Sequence, residues 1–81
     1  MPRIELKSTG LQSATYQDQL AVLELEFRSG AIYQYIGVSG QTYQELLLAE
    51  SKGAYFHAHI RGCFPYSKIR PAESKPRFRR N

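Results

Sequence analysis

Two tyrosines spaced two residues apart, Tyr33 and Tyr35, are the side chains of this 81-residue chain best suited to contact a ligand. Residues i and i+2 of a strand point the same way, so both phenol rings lie on one face. Such a pair can stack on unpaired nucleotide bases. It can equally form half of a small core, and the spacing alone leaves both roles open. A second group of contacts comes later in the chain, where Arg61, Tyr66, Lys68 and Arg70 interleave basic and aromatic character and lead into Arg77, Arg79 and Arg80. Nucleic acid, acidic protein surfaces and anionic membranes all attract such a strip.

Other constellations are weaker. His57, His59 and Cys63 are the only metal-like cluster. On a helix His59 and Cys63 share a face, whereas His57 lies about 200° away from His59. No second ligand pair completes a tetrahedral set, so no metal site is expected. A thiolate pair of Cys63 with His59 lacks an orienting acid and an oxyanion donor. Glu24 and Glu26 alternate with apolar residues, as on a solvated strand face. Ser51-Lys52-Gly53 lacks the upstream glycines of a phosphate loop. Free amides at a helix start there still make Lys52 and Gly53 a candidate phosphate contact, against the alternative of a plain capped turn. Neither a catalytic residue nor a cofactor is expected.

The elements that must position these residues follow from hydropathy. Leu23, Leu25 and Phe27 alternate with Glu24, Glu26 and Arg28, which predicts a half-buried antiparallel strand. Ser29-Gly30 turns the chain, with Gly30 able to take the positive φ that hairpins demand, and a strand returns over Ala31 to Ile36. Leu11 to Tyr16 predicts another strand, with Gln17-Asp18-Gln19 as its turn. Arg3 to Gly10 reads as a short edge strand or an extended arm. After Gly37 to Gly40, Ser39 or Thr42 caps a helix carrying Tyr43, Leu46 and Leu47, with Leu48 and Ala49 widening its apolar stripe. A second helix starts at Ser51, buries Phe56, Ile60 and Cys63, and ends at Gly62 and Pro65. Phe64 to Ile69 is an aromatic exit segment packing back on the body.

The predicted fold is therefore α+β: a three-stranded antiparallel meander followed by two helices, in a single domain over residues 1–70. Residues 71–81 form a basic tail expected to be flexible. The net charge of +4 is uneven. From position 68 onward Lys68, Arg70, Lys75, Arg77, Arg79 and Arg80 face one acid, Glu73, whereas the preceding body carries five bases and six acids. One cysteine excludes an intramolecular disulfide and favours a reducing compartment. No apolar run approaches the ~20 residues of a membrane span, and the N-terminus shows no signal-peptide pattern. A cytoplasmic protein without membrane or small-molecule partners is expected.

The residues Tyr16, Leu23 to Phe27, Gly30, Tyr33-Gln34-Tyr35, Val38, Tyr43, Leu46, Ala49, Ser51-Lys52-Gly53, Tyr55-Phe56, Ile60 and Tyr66, in that order, resemble the KTSC domain. That family is named for its place at the C-terminus of some lysyl-tRNA synthetases and also occurs as small free-standing bacterial proteins. The resemblance covers Leu11 to Ile69. Gln17 departs from it where members often carry an acid. The synthetase attachment implies an RNA-related role, with tRNA among the candidate ligands. The preferred expectation is a non-catalytic RNA-binding or RNA–protein accessory module of low sequence specificity. The alternative is a protein-binding module, such as a phage-encoded inhibitor of a host nucleic-acid enzyme.

Overall fold

The computed structural model describes residues 3–72. Five antiparallel strands form one sheet in chain order, β1 (Ile4–Glu5), β2 (Leu11–Gln17), β3 (Val22–Phe27), β4 (Ile32–Ile36) and β5 (Tyr66–Arg70). Helices α1 (Gly40–Leu48) and α2 (Lys52–His59) lie in the chain between β4 and β5. The α+β class and the helix pair match the sequence reading; the strand number does not. Three strands were expected and five are present. Ile4 and Glu5 pair with Ala14 and Ser13, so the opening segment is a short edge strand. The exit segment returns as β5, which pairs with β4 through Tyr35 opposite Tyr66 and Tyr33 opposite Lys68. All five β5 residues are exposed, which explains why hydropathy carried no strand signal there.

The alternation in β3 works as predicted. Leu23 and Leu25 are fully buried, while Glu24 and Glu26 lie on the opposite, outer face. Gly30 sits at φ 94° in the hairpin, and its amide donates to the Phe27 carbonyl at 2.9 Å. An extra residue in β2, between Leu11 and Ser13, makes a β-bulge. Leu11 and Ala14 thereby both face inward although they are three apart.

Both helices are capped as the sequence suggests. Ser39 accepts from the Thr42 amide, and Ser51 accepts from the Ala54 amide. Together they cover the inner sheet face. The Tyr43 ring of α1 stacks on Tyr16 of β2, centroids 4.8 Å apart. Phe56 of α2 meets Phe27 and Tyr35 edge-on at 5.4 and 5.6 Å. Two expectations fail here. Cys63 is exposed rather than buried, because α2 ends at His59 and Gly62 takes φ 79°, so the helical spacing from Phe56 does not reach it. Leu48 is 82% exposed and does not widen the α1 stripe.

The outer face is a polar ladder. Arg3 pairs with Glu24, and Gln34 also donates to Glu24, at 3.0 Å. Ser13 bridges Arg3 and Glu26, each at 2.8 Å. Glu24 and Glu26 are thus held by partners rather than simply solvated. No described helix is long and apolar enough to cross a membrane.

Candidate functional site

The pairing of β4 with β5 assembles a small aromatic and basic array on the inner face. Tyr33 and Tyr35 project from β4, and Tyr66 and Lys68 stand opposite them on β5. The Tyr66 ring lies 5.5 Å from Tyr33 and 5.9 Å from Tyr35, and the Lys68 ammonium sits 5.8 Å over the Tyr33 ring. The end of α2 forms the facing wall through Phe56, His57 and Arg61. Between the walls lies an open cleft of about 620 Å³.

Burial divides the three tyrosines. Tyr35 is 4% exposed and packs on Phe56, so it is core; Tyr33 is half-buried; Tyr66 is 61% exposed. Burial raises the Tyr35 phenol pKa, the neighbouring Tyr33 and Tyr66 act in the same sense, and the Arg61 charge opposes them. Among the described residues that line the cleft, the basic side chains are Arg61 and Lys68, with His57 beside them. Among the described residues, neither Arg61 nor Lys68 belongs to an ion pair and no carboxylate lines the cleft. Arg61 Nη1 is 3.4 Å from His57 Nδ1. The cleft can stack a planar group and attract an anion. Among the described residues it combines no nucleophile, base and orienting acid.

Several expected site residues lie elsewhere. Arg70 does not share a face with Tyr66 and Lys68. A bulge opposite Ile32 and Tyr33 turns it to the outer face, where Nε donates to the Gly30 carbonyl at 2.8 Å and Nη2 reaches Glu26 at 3.4 Å. Lys52 and Gly53 start α2 and do not line the cleft; Lys52 Nζ donates to the Ala49 carbonyl at 3.0 Å. Arg77, Arg79 and Arg80 lie outside the described residues, as does most of the expected flexible tail.

His59 packs on the Tyr55 ring at 4.5 Å. Among the described residues no three His, Cys, Asp or Glu side chains are grouped to hold a metal ion. Phe27 and the wall formed by Phe56 and His57 were missed as cleft residues. Their alternation and helical spacing marked Phe27 and Phe56 as apolar, and only the packing of α2 on β4 brings them to this opening.

Comparison with known proteins agrees with this architecture. The KTSC domain family model matches residues 7–64. A protein of Stutzerimonas stutzeri is 42% identical over 57 residues, covering 70% of this chain and 80% of that protein. A lysine–tRNA ligase of Nostoc sp. is 37% identical over 68 residues, 84% of this chain. The matched segment makes up only 12% of that ligase. The crystal structure of a KTSC domain protein from Yersinia pestis superposes with a TM-score of 0.81 at 35% identity, covering 84% of this chain and 96% of that one. The chain belongs to the KTSC domain family.

Proposed function

We propose that this domain is a non-catalytic RNA-binding or RNA–protein accessory module of low sequence specificity. The observation that carries this reading is the cleft, where Tyr66 offers an open ring and Arg61 and Lys68 offer charge with no acid among the described lining residues. Cations beside an exposed aromatic ring are the features a single strand uses, phosphate on charge and base on ring. Kinship with a segment of a lysine–tRNA ligase supports an RNA setting, with tRNA as the first ligand to try. Contacts to charge and to a ring face carry no sequence information by themselves, which favours low sequence specificity.

Anisotropy titration of a labelled single-stranded oligoribonucleotide and of a tRNA transcript, from 50 to 200 mM salt, tests the proposal. Affinity is expected to fall steeply with salt, and Arg61→Ala and Lys68→Ala each to lower the slope of log K against log salt by about 0.7 for the single strand. Deleting residues 73–81, which include Arg77, Arg79 and Arg80, should lower it further while preserving the effect of the two cleft substitutions. No binding, or binding indifferent to salt, would overturn the reading and favour an apolar protein partner.

A further inference from the structure

We infer that the cleft between β5 and the end of α2 takes one unpaired nucleotide of an RNA strand, its base against Tyr66 and its phosphate near Lys68 and Arg61. The inference rests on the RNA-binding reading and narrows it from a charged surface to a single-nucleotide site.

The three tyrosines are not equivalent as stacking partners. Tyr35 is buried against Phe56, and Lys68 lies over the ring of Tyr33. Tyr66, 61% exposed, is the cleft tyrosine most open to a base. One open ring stacks one base rather than a run of bases. The opening is bounded by β5 on one side and by Phe56, His57 and Arg61 on the other, with a volume of about 620 Å³. That is a small-ligand cleft, within the ~300–1,000 Å³ typical of such sites. A paired and stacked base cannot present its face to Tyr66 while its duplex persists, so the occupant must be unpaired.

Charge is placed to match. Lys68 follows Tyr66 by two residues on the same strand face, and Arg61, just beyond the end of α2, lines the same cleft. Among the described residues no lining carboxylate repels a phosphate. His57 and the tyrosine hydroxyls add polar groups at the cleft wall that can meet a base edge.

Two RNA hairpins of identical stem and loop separate this site from general RNA binding, one continuous and one carrying a single bulged 2-aminopurine. The bulged hairpin is expected to bind about tenfold more tightly, the gain that stacking one base supplies. Its 2-aminopurine emission should fall as the base leaves water for the tyrosine ring. Tyr66→Ala should abolish both the preference and the quenching, while Tyr66→Phe, which keeps the ring, should retain them. Equal affinity for the two hairpins overturns the single-nucleotide site and leaves RNA binding standing, and this comparison needs only the unaltered protein. A preference that survives Tyr66→Ala also overturns it. Failure to bind either hairpin overturns both readings.

Discussion

Tyr16 and Tyr43 stack in the middle of the molecule and are both almost wholly buried, yet their hydroxyls differ. The Tyr16 hydroxyl donates to the Val38 carbonyl at 2.7 Å, tying β2 to the link that enters α1. The Tyr43 hydroxyl is buried with no partner among the described residues. Removing a satisfied donor strands a buried carbonyl, whereas removing an unsatisfied one relieves a desolvation cost. Tyr16→Phe should therefore destabilise the domain by about 1–2 kcal/mol, and Tyr43→Phe should be neutral or stabilise it by up to about 1 kcal/mol. Urea denaturation of the two variants measures the contrast directly. Equal losses would contradict this assignment. The same logic separates Tyr35, whose ring is core, from Tyr66, whose ring is free to meet a ligand.

Among the connections, the turn joining β2 to β3 shows the most backbone tension. Ala21 takes φ 54°, the only described non-glycine residue with a positive φ. Its carbonyl accepts from the amides of Gly37 and Val38, both at 2.9 Å, so the turn latches the end of β4. Holding an L-residue in this left-handed region costs roughly 1–2 kcal/mol. Glycine avoids that cost but leaves the unfolded chain freer, a loss of about 0.4–1 kcal/mol. Ala21→Gly should thus raise stability by up to about 1 kcal/mol, read as a rise in urea midpoint with unchanged m. A fall in midpoint would mean the surroundings fully support the alanine. The β4–β5 bulge has the opposite character. It reassigns a side chain rather than straining the backbone, sending Arg70 to Glu26 and leaving Lys68 beside the tyrosines.

The whole molecule has two dissimilar sheet faces, a polar ladder outside and an apolar layer under the helices that opens at one end into the cleft. Its response to alkali follows from that inner layer. Burial raises the phenol pKa values of Tyr35 and Tyr43 above the ordinary 10.0. In the unfolded chain these groups release protons near pH 10, before the folded protein does, so the folded state holds more protons in that window. Their contribution is fully present below about pH 10 and is lost as pH rises through the folded values. Thermal melts from pH 8 to pH 11.5 should show a falling Tm above about pH 10, and Tyr35→Phe should shallow that fall. A flat profile would show the two phenols to be solvated. Glu45 acts at the other end of the scale. Hydrogen bonds from Tyr55 and then Gln41 hold its carboxyl below 4.5, so its small, exposed contribution is present above that value and fades as pH falls.

Local chemistry made much of this architecture readable from the chain. The two-residue period of Leu23 to Phe27, the glycine at position 30 and the serines at 39 and 51 each act within a few residues, so strand, hairpin and caps follow without knowledge of the rest. The shared face of Tyr33 and Tyr35 is likewise a property of one strand. The fifth strand was not readable, because Tyr66–Arg70 is exposed along its length and is held by pairing with β4, more than thirty residues earlier in the chain. Nor could spacing place Cys63, since the helix assumed to carry it stops before Gly62. The division of three tyrosines into core, wall and open ring, and the removal of Arg70 to the far face, depend on strand register, a bulge and the position of α2. These are contacts between segments remote in sequence, and only tertiary packing decides them.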